Sequence, residues 1–229
     1  MNKIIFGVSS TESANKYLTN GYTVYDWVVR QKCFPSFWGR NILGDNVVTK
    51  KEIEFLKERN CKLKLIVGDL TEKSVSSSNG YEDASRSIAA ADELGVPQGK
   101  KIALFAKILP EWSINHNWMI SYARMLFDNG YLPGFIGNTD SYINFNFDRQ
   151  CSHYIQATKQ EDYYNAIFSA TEPKVDNMPV EWTPYCPSAL NQNDIHMWNT
   201  GEFCFNNIKI EEEYARDTTV LDCMWEGDN

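Results

Sequence analysis

The apolar pattern of residues 101–112, KIALFAKILPEW, is the strongest structural signal in the chain. Apolar residues run almost without a break through this stretch, and only Lys107 interrupts them before Pro110. Such a run is typical of a strand that is buried on both faces of a parallel sheet. A helical stretch that stops near Gly95 precedes the run. The pattern therefore predicts a central strand of an α/β fold.

Further apolar runs and alternating patterns predict strands that are separated by helical stretches. The predicted strands are residues 3–8, 35–42, 62–67, 102–108, 131–136, 164–169, 180–185, 195–198 and 208–211. Helices are predicted where apolar residues recur at helical spacing, namely at residues 11–18, 50–60, 80–94, 118–127 and 149–158. Residues 21–29 are rich in aromatic and β-branched residues and receive no helix prediction.

Thr49 marks the clearest helix start. Glu52 follows Thr49 at the spacing of a capping box, in which side chain and backbone of the two residues satisfy each other. Ile53, Phe55 and Leu56 then supply the inner face of the predicted helix.

The alternation of strands and helices predicts one α/β domain over residues 1–229, a single (β/α)8 TIM-like barrel. Alternating elements with short turns indicate parallel strands joined by right-handed crossovers. Helical patterns become weak after residue 160, so we expect an irregular second half. Replacement of Gly137, in the turn after the fifth strand, is expected to disturb that turn if the position needs a positive φ.

Composition narrows the possible partners. The net charge of −8 and the lack of clustered Lys and Arg argue against nucleic acid. No window approaches the ~18 apolar residues of a membrane segment, and the short run at residues 4–8 falls short of a signal peptide. The default localisation is thus cytoplasmic. The oligomeric state stays open.

Cysteine and histidine spacings predict neither a metal site nor a cofactor site. The six cysteines are scattered without a C-x-x-C pair, which favours free thiols in a reducing compartment. His116, His153 and His196 are not spaced as metal ligands on one helix face. No P-loop or G-x-G-x-x-G motif is present, so no cofactor is expected.

Four segments carry a family resemblance. Residues 79–99 (NGYEDASRSIAAADELGVPQG) and 118–138 (WMISYARMLFDNGYLPGFIGN) are its most specific parts. Residues 34–42 correspond to a second strand, with Asn41 where a Gly-Arg-Tyr motif has its Tyr, and residues 195–215 match more loosely. The chain resembles the glycoside-hydrolase-like TIM-barrel family of unknown function, which is related in fold to the family 25 lysozyme-type muramidases.

The resemblance implies where catalytic acids would stand. Glycoside hydrolysis uses two carboxyl groups that flank the scissile bond, and the muramidase-like relatives carry acids at the ends of strands one, four and eight. The strand-one position here is Ser9, and the strand-four positions fall on Ala106 and Ile108. Only Glu211 in the last strand keeps an acid. The resemblance therefore predicts that the catalytic pair is missing.

Other acids could replace the missing ones. Glu111 lies in the loop after the fourth strand, beside Trp112, where desolvation would raise the pKa of a carboxyl group. Asp69 closes the third strand and could act with Glu111, as could Glu211. The simpler interpretation makes Glu111 a solvated loop residue and Asp69 a turn or cap residue. Asp140 is most simply an Asx-turn or N-cap residue.

Aromatic residues near strand ends are the positive sign of a sugar ligand, because flat rings stack on the apolar faces of sugars. The alternative is that they fill the core, given an aromatic content of 14%. The tryptophans concerned are Trp38, Trp112, Trp118, Trp182 and Trp198. The residues predicted to bind a ligand are Arg40, Lys107, Trp112, Asn138, Asp140 and Trp198.

Three functional hypotheses follow. The first is a catalytically degenerate barrel that binds a glycan or peptidoglycan fragment. The second is an active glycoside hydrolase with relocated carboxylates, Glu111 with Asp69 or Glu211. The third is a non-enzymatic scaffold for protein interaction, since a fold does not fix a function.

Overall fold

The protein forms a closed barrel of eight strands in the computed structural model, which describes residues 4–99, 101–161, 163, 165–205 and 207–227. Each strand pairs with its neighbours in chain order, and β8 closes the sheet on β1. The strands are β1 (Ile5–Ser9), β2 (Phe37–Leu43), β3 (Lys62–Val67), β4 (Ala103–Lys107), β5 (Leu132–Gly137), β6 (Ile167–Ala170), β7 (Ile195–Phe205) and β8 (Ile208–Ala215).

The predicted α/β barrel is confirmed, with one departure in strand direction. Strands β1 to β7 are parallel, whereas β8 runs antiparallel to both β7 and β1. The expectation of parallel strands throughout was wrong for β8. Only residues 206 and 207 separate β7 from β8, and a link that short can join only antiparallel strands.

Six α-helices connect the strands of the described chain. They are α1 (Val24–Gln31), α2 (Lys50–Lys57), α3 (Glu72–Val75), α4 (Tyr81–Leu94), α5 (His116–Asp128) and α6 (Phe145–Thr158). Beyond α6 the described residues contain short 3-10 turns and no α-helix, which agrees with the predicted irregular second half.

Helix α1, which the composition of residues 21–29 did not predict, is explained by its N-terminal cap. Thr23 caps α1, and the Thr23 side chain and Asp26 form a complete capping box that outweighs the β-branched composition around it. Residues 11–18, predicted as a helix, instead form turns, and a bridge joins Tyr17 to Thr23. Residues 180–185 form no strand and belong to the long β6–β7 connection. Residues 3 and 164, the first positions of two predicted strands, lie outside the described residues.

The barrel wall is buried on both sides, which explains the near-continuous apolar runs. One apolar cluster lies between the sheet and the helices, and a second fills the barrel interior. Interior side chains come from alternate strand positions and include Ile5, Phe37, Ile66, Ala103, Phe105, Ile136 and Met197. A Cβ at Gly7 would overlap the Phe37 ring, so the narrow interior requires glycine there.

The two ends of the barrel differ. The carboxyl ends of β1–β7 and the start of β8 form the open mouth, while Val220, Cys223 and Met224 pack into the interior from the opposite end. Among the described helices, none has the length and apolarity required to cross a bilayer.

Candidate functional site

A buried polar layer lies inside the barrel below the mouth. Lys64 Nζ lies 2.8 Å from Glu213 Oε2, and both side chains are fully enclosed. Ser9 Oγ donates to Glu213 Oε1 at 2.9 Å, and Ser169 Oγ lies 3.3 Å from Lys64 Nζ. Every charge in this layer is therefore paired with an opposite charge, and the hydroxyls complete the hydrogen bonds.

A second polar group, the mouth cluster of Lys107, Lys174, Asn199 and Glu211, lies at the open end. Lys107 Nζ lies 2.6 Å from Glu211 Oε1, and Asn199 Nδ2 donates to Glu211 Oε2 at 3.2 Å. Lys174 Nζ donates to Asn199 Oδ1 at 2.8 Å. The cluster combines the last residue of β4 and interior positions of β7 and β8 with the β6–β7 connection.

The electrostatics of the mouth cluster follow from burial and charge pairing. Burial alone would raise the pKa of Glu211, but the charge and hydrogen bond of Lys107, together with the charges of Lys64 and Lys209, outweigh burial and lower that pKa. Burial lowers the pKa of Lys174, although nearby carboxylates such as Glu172 oppose this effect. Glu211 is therefore held as a carboxylate at neutral pH.

A small cavity of about 50 Å³ opens at the mouth. Its lining residues are Ser9, Ser10, Thr11, Asn41, Ile66, Lys107, Lys209 and Glu211. The volume accommodates a water molecule or one polar substituent, because a water occupies roughly 30 Å³ in the liquid. A sugar ring would have to lie across the rim.

The strand-four positions need a correction. Ala106 and Ile108 point away from the barrel axis into the layer between sheet and helices. Lys107, between them, points into the mouth and contacts Glu211. The inward position at the end of β4 thus carries a base, and Ser9 occupies the inward position at the end of β1.

Asp69 and Glu111 lie outside the mouth cluster. Asp69 forms an ion pair with Arg86 of α4, and Arg86 also binds Asp83 at 2.8 Å. Asp83 in turn accepts a hydrogen bond of 2.8 Å from Trp118 Nε1. Asp69 therefore helps to hold α4 and α5 against the sheet. Glu111 is exposed in the turn after β4.

Asn138 and Asp140 shape the loop after β5. Asn138 Oδ1 accepts a hydrogen bond from the Asp140 amide at 2.9 Å, and Asp140 Oδ1 accepts one from the Tyr142 amide at 2.9 Å. These are consecutive Asx-turns. The Asn138 side chain is buried and holds the turn, and its predicted ligand contact stays a prediction.

Arg40, predicted to bind a ligand, is engaged within the protein. Its side chain is 2% exposed and lies outside the barrel, with Arg40 Nε 2.7 Å from Glu52 Oε1. Arg40 also donates to the carbonyl oxygens of Ser10 and Asn46. It ties the loops after β1 and β2 to α2.

The tryptophans predicted to stack on sugars serve the core. Trp198 is 1% exposed, and its Nε1 donates to the Pro173 carbonyl at 2.9 Å, so its ring is held in the core and its predicted ligand contact stays a prediction. Trp38 and Trp118 are fully buried. Trp112 is half-buried and packs against the outer apolar cluster.

Exposed aromatics occur instead after β5, in the loop that precedes α6 and at the first residue of α6. Tyr142 is 99% exposed and Phe145 is 63% exposed, and Ile143 lies between them. This loop follows the carboxyl end of a parallel strand, so it belongs to the mouth end of the barrel. The sequence could have indicated this exposed surface, because these apolar residues interrupt a polar segment that follows a predicted strand.

Within the described residues, no group of three or more His, Cys, Asp or Glu side chains is arranged to hold a metal ion.

Comparison with known proteins supports the fold. No protein-family model and no curated protein sequence matches the chain. An uncharacterised B. stearothermophilus protein shares 21% identity and a TM-score of 0.77, over 96% of this chain and all of that one. A Tat-secreted protein of Mycobacterium tuberculosis, crystallised with HEPES, shares 9% identity and a TM-score of 0.57, over 93% and 95%.

A third solved structure is the catalytic domain of an endolysin from a bacteriophage of Listeria monocytogenes. It shares 14% identity and a TM-score of 0.57, over all of this chain and 98% of that domain. At such identities the likeness concerns architecture. The chain therefore shares its barrel fold with an endolysin catalytic domain and with a protein of uncharacterised activity.

Proposed function

We propose that the protein is a non-catalytic barrel that binds a glycan or peptidoglycan fragment at its mouth. The observation that carries this proposal is the pairing of Glu211 with Lys107 at 2.6 Å. Glu211 is the sole carboxylate among the residues that line the mouth cavity. The site thus offers hydrogen-bonding groups for a ligand without a pair of carboxyl groups for hydrolysis.

The protonation state of Glu211 argues against catalysis. A glycosidase needs a proton donor whose pKa is raised and a second carboxylate across the scissile bond. Lys107 lowers the pKa of Glu211, so this group is a poor proton donor at neutral pH. Glu213 is enclosed and already bound to Lys64 and Ser9. A substrate would have no access to it.

The rim supplies the means to hold a sugar. Tyr142 and Phe145 offer exposed rings for the apolar face of a sugar ring, and such contacts between flat apolar surfaces favour aromatic residues. Lys107 and Asn199 present donors at the mouth. Lys209 lines the same cavity. These lysines favour a sugar that carries a carboxylate. The fold shared with an endolysin catalytic domain supports a peptidoglycan fragment as the ligand class.

Two parallel assays on purified peptidoglycan and soluble glycans test the proposal. Release of reducing ends measures hydrolysis, and isothermal titration calorimetry with soluble fragments measures binding. We expect saturable binding without turnover in the wild type, in Glu111→Gln and in Glu211→Gln. Turnover that disappears in either variant would establish an active hydrolase with relocated carboxylates.

A matched pair of variants locates the binding surface. Phe145→Ala removes a rim ring and should weaken binding roughly three- to tenfold, as expected for an interaction of about 0.5–1.5 kcal/mol. Phe34→Ala removes a ring of similar exposure in the loop before β2, at the opposite end of the barrel. It should leave binding unchanged. If no glycan binds at all, the scaffold hypothesis takes precedence.

A further inference from the structure

We propose that a second site, at the end of the barrel opposite the mouth, binds a small organic carboxylate with an apolar body. The site is a cavity of about 630 Å³, called here the base cavity. The start of β5, β6 and β7 and the end of β8 border it. This inference does not depend on the proposed glycan site.

The size and walls of the base cavity fit a small organic molecule. Its volume is more than ten times that of the mouth cavity and lies within the roughly 300–1,000 Å³ typical of ligand pockets. Phe127 and Leu132 form part of an apolar wall, together with Ile155 and Leu190. Burial of an apolar body against this wall would provide the driving force for binding.

His196 places a neutral hydrogen-bond donor in the cavity lining. The backbone amide of Phe168 donates to His196 Nδ1 at 3.3 Å, so the proton of the neutral ring resides on Nε2. Burial, assisted by the charge of Arg216, lowers the pKa of His196 to about 4. Its Nε2–H is therefore a fixed, uncharged donor at neutral pH.

Arg216 provides the charge. Arg216 Nε lies 3.1 Å from Asp217 Oδ2, and this contact orients the guanidinium. Asp217 also accepts a hydrogen bond from the Thr219 amide at 2.9 Å. Within the described part of the chain, the terminal nitrogens of Arg216 make no hydrogen bond. They are available to a carboxylate, which a guanidinium binds through two parallel bonds.

The balance of charge in the lining favours a ligand with a single carboxylate over a ligand with several negative charges. Arg216 and Lys101 are the cations of the lining, and Asp194 is its anion. Asp194 Oδ2 is engaged in a local turn, where it accepts from the Asn191 amide at 2.8 Å. A single negative charge on an apolar body matches this arrangement. A neutral sugar would leave the terminal nitrogens of Arg216 without an anionic partner and place hydroxyls against apolar walls.

Calorimetry with 3-phenylpropionate and its uncharged analogue 3-phenylpropanol tests the proposal on the full chain. The acid should bind saturably and the alcohol at least tenfold more weakly. Arg216→Met should weaken the acid roughly tenfold to a hundredfold, as expected for loss of a hydrogen bond to a charged group. Leu190→Trp should weaken binding by occupying part of the cavity, and circular dichroism of both variants checks that they fold.

The outcomes separate the two ends of the barrel. Lys107→Gln, at the mouth, should leave the affinity for 3-phenylpropionate unchanged, and Leu190→Trp should leave glycan binding unchanged. Failure of glycan binding alone would leave the base cavity proposal standing. No binding of the acid, equal binding of acid and alcohol, or wild-type affinity in folded Leu190→Trp would overturn it.

Discussion

At the scale of single residues, the Lys64–Glu213 ion pair inside the barrel places the strictest requirement on the side chains around it. The two charged atoms lie 2.8 Å apart in side chains that are 0% and 1% exposed. Burial of a charge is costly unless it is paired and hydrogen-bonded. Ser9 and Ser169 supply the additional hydrogen bonds. Each charged side chain can therefore be buried only because the other neutralises its charge.

Removal of one partner should destabilise the fold strongly. Lys64→Met leaves the Glu213 carboxylate buried without its counter-charge, and we expect a loss of about 3–5 kcal/mol in the free energy of unfolding. The double variant Lys64→Met/Glu213→Leu should recover most of this loss. Urea denaturation measures both. As a control, Lys209→Gln breaks the exposed pair with Glu202 and should cost less than about 1 kcal/mol. Wild-type stability of Lys64→Met would contradict the argument.

His196 predicts a pH dependence of stability. Its pKa falls from 6.5 to about 4 in the folded protein, so the unfolded chain binds more protons between these values. The free energy of unfolding should therefore decrease as the pH falls through this window. A shift of this size corresponds to roughly 3 kcal/mol in total.

The corresponding variant is His196→Asn, in which an amide oxygen can replace Nδ1 as the acceptor for the Phe168 amide. This variant should show a flatter pH profile in urea denaturation between about pH 4 and pH 6.5. His153→Asn alters an exposed histidine and should retain the wild-type slope. Equal slopes in wild type and His196→Asn would show that His196 does not cause the pH dependence of stability.

At the scale of elements, Gly137 shows how β5 and α6 approach each other. The sequence left open whether Gly137 needs a positive φ, and Gly137 is not among the glycines with positive φ. A Cβ at this position would instead overlap the ring of Phe147 on α6. Glycine is needed there because helix and strand pack too closely for a side chain.

Gly137→Ala should thus destabilise by about 1–3 kcal/mol through overpacking. The second substitution Phe147→Leu should recover part of this loss by making room. Gly95→Ala provides a contrast, because Gly95 has φ 85° and open space around its Cα. The destabilisation by Gly95→Ala, about 1 kcal/mol from backbone strain, should be the same with and without Phe147→Leu. Chemical denaturation of the four variants tests the difference.

Element prediction succeeded where the pattern was local. The Thr49 start, the α4 and α5 segments and the strand at residues 102–108 were all found from spacing alone. It failed at α1, where two side-chain hydrogen bonds of Thr23 and Asp26 decide the conformation. It also failed for residues 180–185, because a short extended segment becomes a strand only when a partner strand lies beside it.

At the scale of the whole molecule, the six cysteines differ in their burial, and their reactivity should differ accordingly. Cys33 and Cys204 are exposed, whereas Cys61, Cys151 and Cys223 are buried, and all six are free. Burial raises the pKa of each of the three buried thiols, which further reduces their thiolate fraction.

Alkylation with iodoacetamide under native conditions should therefore modify Cys33 and Cys204 first. The buried thiols should react only after urea unfolds the barrel. Mass spectrometry of peptides identifies the modified positions. Rapid modification of Cys151 in the native protein would contradict the packing of α6 described above.

The sequence alone determined the alternation of strands and helices, the barrel class, the irregular second half and the absence of an acid at Ser9. These properties depend on periodicity and residue type over short stretches. Tertiary structure alone decided that β8 is antiparallel, that Lys107 rather than Ala106 faces the mouth, and that Trp198 is buried. The reason is physical: barrel closure fixes the register, and so it brings Lys107 against Glu211 across 104 positions of the chain, a separation that no local pattern spans.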